Sequence, residues 1–149
     1  MNANYRENDK QPPWLEYMEH AADAGIRVTA DSREELFVRA AEGMFTLVAD
    51  ARDIEPEELL TVSVEAPDIE TLMVYWLSEL NFYHQVHRWL FRKYKIVEMV
   101  DFRITAELNG IRVVPNTRNV FAEIKAVTYH GLSVRQEGDR WLAEIIFDL

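Results

Sequence analysis

Two amphipathic helices, each with a start signal in the sequence, constrain this chain more than any other feature. Ser32 and Glu35 have the spacing of a capping box, whose side chains satisfy orphan N–H groups of the first turn. From there Leu36, Phe37, Ala40, Ala41, Met44, Phe45 and Val48 recur at helical spacing and make one apolar stripe. That pattern predicts a helix running to about Asp50. Pro67-Asp68 opens a second helix with Asp68 as cap, and Ile69, Leu72, Met73, Trp76, Leu77 and Leu80 mark its buried face to about His87. Each stripe needs another layer to cover it.

The remaining segments alternate with period two and supply that layer. Residues 14–19, 26–30 and 60–64 read as strands, as do 94–99 and 102–108. Asn109-Gly110 predicts a two-residue hairpin turn, with 111–114 as its return strand. A polar loop follows over 115–119. The stretch 121–134 reads as extended chain with a turn or bulge at Gly131. Gln136-Glu137-Gly138-Asp139 is a further turn, and 141–148 closes the chain as a strand. Hairpin turns demand antiparallel pairs, whereas helix-length connections favour parallel ones. The expected fold is α+β: a two-layer sandwich with a mixed β-sheet and both amphipathic helices packed on one face. Residues 1–13, polar and ending in Pro12-Pro13, predict a solvated tail before a single domain over 14–149.

Net charge narrows the function. With 16 Lys and Arg against 26 Asp and Glu, the chain carries −10. Direct nucleic-acid binding needs a basic face and is not expected, whereas a cation or a basic protein partner suits this balance. The sequence has no cysteine, which excludes disulfides, thiolate catalysis and Cys-ligated metal. No apolar run is long enough to span a membrane, and the first residues lack an apolar signal core, so a cytoplasmic location is expected. No Gly-rich phosphate loop, GxSxG elbow or HExxH motif is present.

Candidate chemistry gathers at the end of the chain. Ile145-Ile146-Phe147-Asp148-Leu149 ends inside a strand, so the sheet is expected to hold both the Asp148 side chain and the Leu149 α-carboxylate. Two neighbouring anions either grip a cation or are simply solvated at a sheet edge, and from these residues alone solvation is the simpler account. A cation there would be a hard one such as Ca²⁺, Mg²⁺ or Mn²⁺. Asp23, among small residues in Ala21-Ala22-Asp23-Ala24-Gly25, is a candidate third ligand or else a turn residue bonding its own backbone. His20, Lys125, Tyr129 and His130 are polar candidates near these positions with equally ordinary structural roles. His84 and His87, three apart on the second helix, read as polar-face residues.

Three segments in order resemble the archease family. His20-Ala21-Ala22-Asp23-Ala24-Gly25-Ile26 resembles its opening His-Thr-Ala-Asp motif, with Ala21 in place of the usual Thr. Glu123-Ile-Lys125-Ala-Val-Thr-Tyr129-His130 resembles its central motif, and Ile146-Phe147-Asp148-Leu149 its closing one. The helix segment Leu72 to Leu80 is also similar, while the segment between Val114 and Glu123 is shorter than usual. The resemblance implies a small α+β protein that is not itself catalytic and binds a divalent cation, foremost Ca²⁺. It implies metal ligands at Asp23, Asp148 and the Leu149 terminus, and a functional lysine at Lys125. It leaves His20, Tyr129 and His130 to line the site. It further implies a tRNA-splicing role: activation of the RNA ligase that joins 2′,3′-cyclic phosphate ends to 5′-hydroxyl ends, through guanylylation and multiple turnover. The alternative within the family is a chaperone-like modulator of an RNA-modifying enzyme such as a methyltransferase. A metal-dependent hydrolase is a third reading, without a substrate signal in its favour.

Overall fold

The computed structural model describes residues 11–19 and 23–149. The expectations for residues 1–10 and for His20 and Ala21 lie outside the described residues. Among the described residues eight strands and two helices follow in the order β1 (Leu15–Glu19), β2 (Asp23–Ala30), α1 (Arg33–Thr46), β3 (Glu58–Glu65), α2 (Ile69–His87), β4 (Trp89–Val100), β5 (Arg103–Arg112), β6 (Ala126–Val127), β7 (Ser133–Glu137) and β8 (Arg140–Asp148). The α+β class and both helices are as the sequence leads one to expect. Where a single mixed sheet was expected, the strands form two sheets, and every pair among the described residues is antiparallel. One sheet has the order β1-β2-β8-β6, with β7 also on β8; the other has the order β3-β5-β4. The α1 connection passes from the first sheet to the second, and the α2 connection returns to the second sheet with β5 between β3 and β4, so neither delivers the chain to a parallel neighbour.

Both helices touch both sheets and form the centre of the core. The caps are made as expected: the Ser32 Oγ accepts from the Glu35 N–H at 3.1 Å and an Asp68 carboxylate oxygen from the Thr71 N–H at 2.8 Å. Glu35 reaches back to the Asp31 N–H at 3.0 Å. Trp76, fully buried, donates its indole N–H to the Phe37 carbonyl at 2.8 Å and locks α2 to α1. At Gly43 a Cβ would lie 3.0 Å from a Leu15 methyl and 3.1 Å from an Ile26 methyl, so this glycine lets α1 press directly on β1 and β2.

Three local readings change. The first helix ends at Thr46 rather than near Asp50, because the backbone of residues 48–50 pairs with residues 119–122. The Asp50 N–H donates to the Asn119 carbonyl at 2.8 Å and the Phe121 N–H to the Val48 carbonyl at 2.9 Å. Asn109-Gly110 is not a turn. It lies inside β5, paired with β3 on one edge and β4 on the other. The turn from β4 to β5 falls at Asp101-Phe102, with Asp101 at φ 51°. Gly110 is required by close approach: a Cβ there would sit 2.2 Å from the Leu90 carbonyl oxygen, beside an irregularity in β4. Finally, 121–134 is mostly not strand. Only Ala126–Val127 and then Ser133–Glu137 pair with β8, and a turn bearing Gly131 at φ 64° separates them.

His84 also differs from expectation. It is 8% exposed in the core, and its Nδ1 lies 2.7 Å from the Trp89 carbonyl, at the point where Arg88 in the left-handed region (φ 62°) turns α2 straight into β4. Burial pushes its pKa below the ordinary 6.5, and the bond to Trp89 opposes that only in part. The unfolded chain therefore takes up this proton first. The contribution from neutral His84 is complete above about pH 6.5 and declines as pH falls toward the folded-state value.

Two outcomes follow for stability. Gly110→Ala should cost about 3 kcal/mol, the upper end for overpacking because the obstacle is backbone, measured by urea unfolding. Melting temperature should fall between pH 7 and 5, and His84→Leu should flatten that slope while lowering stability at pH 7.

Candidate functional site

The first sheet's two faces differ. Val28, Ile26 and Ala24 on β2 pair with Ala143, Ile145 and Phe147 on β8 and face the helices. On the outer face Thr29, Arg27, Gly25 and Asp23 pair with Leu142, Glu144, Ile146 and Asp148. Charges cross the middle of this face as an alternating ladder. Arg27 meets Glu16 at 3.2 Å and Glu144 at 2.9 Å; Arg135 meets Glu144 at 3.0 Å and Glu137 at 2.8 Å. Hydrogen bonds from Arg27 and then Arg135 hold the Glu144 carboxyl below the usual carboxylate range.

The ladder's logic fails at the sheet's end. Asp23 and Asp148 are direct partners, so their Cα atoms are roughly 4.5–5.5 Å apart and their side chains share the outer face. Like charges directly opposite are destabilising. Neither carboxylate has a salt-bridge or hydrogen-bond partner among the described residues, in contrast to Glu144 four residues earlier on β8. Asp148 is exposed and Asp23 half-buried.

The other edge of β8 brings in the central motif. Ala126 pairs with Asp148, and the Lys125 N–H donates to the Asp148 carbonyl at 2.8 Å. Lys125 thus sits immediately before the strand beside Asp148, with Asp23 on the opposite neighbour, and it is exposed. The position of Lys125 is anchored from below. Ile124 is fully buried, and its carbonyl accepts from the Asn81 side chain at 3.0 Å and also from Gln85. Tyr129 and His130 lie on the turn after β6, both exposed. Thr128 ties that turn to β8 through its N–H and hydroxyl on the Ile146 carbonyl, at 3.1 and 2.9 Å. His20 lies outside the described residues.

The structure therefore brings Asp23, Lys125, Asp148 and Leu149 to one end of one sheet, with Tyr129 and His130 on the adjacent turn. Among the described residues no three His, Cys, Asp or Glu side chains gather as a metal site. The oxygen set on offer is the two facing aspartates with neighbouring backbone oxygens, which fits a hard cation that keeps several waters. Of two cavities, one of about 240 Å³ lies between β1, α1 and β4, and one of about 270 Å³ beside Arg88 and Thr117 has Gln85 and Glu123 on its wall and so borders the segment before Lys125; none of these site residues lines either. Asn81 and Gln85 were not singled out from the sequence. The signal they carry is an amide pair four apart, the spacing that puts two side chains on one side of a helix.

A two-sheet α+β protein with an acidic strand end is the class defined by this geometry. A sequence profile of the Archease protein family (MTH1598/TM1083) matches residues 15–149. Protein archease of Methanopyrus kandleri is 37% identical over 140 residues, covering 92% of this chain and 99% of that one. Protein archease of Pyrococcus abyssi is 32% identical over 138 residues, covering 90% and 97%. The solution structure of Methanobacterium thermoautotrophicum protein 1598 superposes with a TM-score of 0.76 at 31% identity, covering 91% of this chain and 99% of that one. A Thermotoga maritima archease, described as a possible chaperone, shares the fold with a TM-score of 0.60 at 19% identity over 95% and 98%. The chain belongs to the archease family. No helix among the described residues is long and apolar enough to cross a membrane.

Asn81→Ala should cost about 0.5–1.5 kcal/mol, because it removes one of the two amide donors on the buried Ile124 carbonyl and leaves Gln85. Amide hydrogen exchange at Lys125 should speed up more than exchange at Val28 on β2.

Proposed function

We propose that this chain is a non-catalytic, cytoplasmic accessory protein of the tRNA-splicing RNA ligase, promoting the ligase's guanylylation and multiple turnover. On this reading Asp23, Asp148 and the Leu149 α-carboxylate hold one divalent cation, Ca²⁺ foremost with Mg²⁺ or Mn²⁺ as alternatives. Family membership supports the class of function, and one observation carries the site: two facing carboxylates that make no salt bridge among the described residues, on a sheet face that is otherwise charge-matched. A bound dication supplies the positive charge that a triphosphate and a guanylylated histidine need nearby. The chain's own residues do the positioning. β2 and β6 hold Asp148 from both sides, and Lys125 adds a cation beside it. Tyr129 and His130 border the site and shape its contact with the ligase, a role that the family resemblance also gives His20. An exposed carboxylate pair at the edge of a sheet suits contact with a partner better than enclosure of a substrate.

Calorimetry on chelator-treated protein should give one Ca²⁺ per chain, with affinity at least tenfold weaker in Asp23→Asn or Asp148→Asn. Without metal, Asp148→Asn should melt above wild type, because it removes like-charge repulsion of about 0.2–1 kcal/mol. Extending the chain beyond Leu149 should weaken binding as well. In ligation assays with GTP and limiting ligase, wild type should raise guanylylation and turnover and both variants should not. Wild-type protein that leaves the ligase unchanged but alters a methyltransferase would replace this reading with the modulator one.

A further inference from the structure

Helix α2 has a second apolar face that the core does not use. Its buried side carries Leu72, Met73, Trp76, Leu77, Leu80 and His84. On the opposite side Tyr75, Phe82 and Val86 are 46%, 47% and 57% exposed. Seven and four residues apart, they fall within roughly 40° of one another and span about 16 Å of helix. A surface helix normally turns charged side chains outward. Here Phe82 is held in place by edge contacts to Tyr83 at 5.6 Å and His87 at 5.5 Å, which makes it a preformed aromatic knob.

The charges on α2 say what fits against it. Its nineteen residues include Glu70 and Glu79 and no Lys or Arg. Glu79 lies between Tyr75 and Phe82 on the same side. The helix itself carries no cation to neutralise phosphate, so an RNA backbone does not suit this face. A second copy of the chain, also at −10, would bring acid against acid. A protein surface with an apolar pocket rimmed by Lys or Arg is the complement. The same helix also supports the candidate site: Asn81, on its buried side, holds the Ile124 carbonyl, and Lys125 follows.

We propose that Tyr75, Phe82 and Val86 form a docking face for a basic protein surface, and that this surface belongs to the ligase engaged by the strand end. This inference rests on the activator reading above. It assigns grip to α2 and action to the aspartates, two separable tasks.

The test uses the full chain and the ligase, with Tyr75→Ser/Phe82→Ser compared against Asp148→Asn. Circular dichroism and melting first establish that each variant is folded, and Phe82→Ser alone serves if the double variant is not. The helix variant should raise both the Kd for the ligase and the half-maximal activating concentration by tenfold or more, with full activation retained at saturation. Asp148→Asn should show the reverse split, near-normal Kd with activation lost. Raising salt should weaken wild-type association. If wild type binds and activates but the helix variant binds equally well, the docking face is overturned and the activator reading stands. If wild type neither binds nor activates the ligase, both fall. Sedimentation that finds a wild-type dimer abolished by Phe82→Ser would assign the face to a second copy and overturn the proposal.

Discussion

Strand β8 is hydrogen-bonded along both edges, by β2 over its length on one side and by β7 and β6 end to end on the other. The position of every candidate residue depends on that double pairing. A strand end paired on one edge frays; Asp148 is paired on both, with Asp23 and with Ala126. The core face of the same strand is closed, with Ala143, Ile145 and Phe147 fully buried under the helices. Burial therefore supplies the energy, and the two edges supply the direction in which the final residues point.

The outer face shows how that energy is distributed. Arg27, Glu144 and Arg135 alternate across three strands, so each charge in the middle is matched by a neighbour. Such exposed pairs contribute about 0.2–1 kcal/mol each, which is modest beside the core. Their greater role is register, since a one-residue slip would break the ladder and turn the apolar face outward. The same register that satisfies Glu144 sets Asp23 against Asp148. A stability-optimised face would carry an opposite charge or a neutral residue at one of those positions, and strain of this sort concentrates where a protein meets its ligand.

Helix α2 links this sheet end to the rest. It packs on both sheets and is locked to α1 by Trp76. It also reaches out through Asn81 and Gln85 to hold the Ile124 carbonyl, which fixes the chain just before Lys125. One element thus carries core, site support and an apolar outer stripe.

Much of this was legible from the sequence because it depends on local chemistry. Both helix starts follow from side chains bonding their own first turn, at Ser32 and Asp68. The turns at Gly131 and Gly138 follow from their left-handed backbone. The three short segments bearing Asp23, Lys125 and Asp148 were visible as motifs. Tertiary pairing decided the rest. Asn109-Gly110 has the composition of a turn, yet β3 and β4 claim both edges of that segment, and the close approach of Leu90 makes the missing side chain a packing requirement. Val48 continues the helical stripe, yet its carbonyl is taken by Phe121. Two sheets replaced one because a connection's length says nothing about which sheet receives it. That Asp23 opposes Asp148 is a matter of register between segments more than a hundred residues apart, and no local preference encodes a distance of that kind.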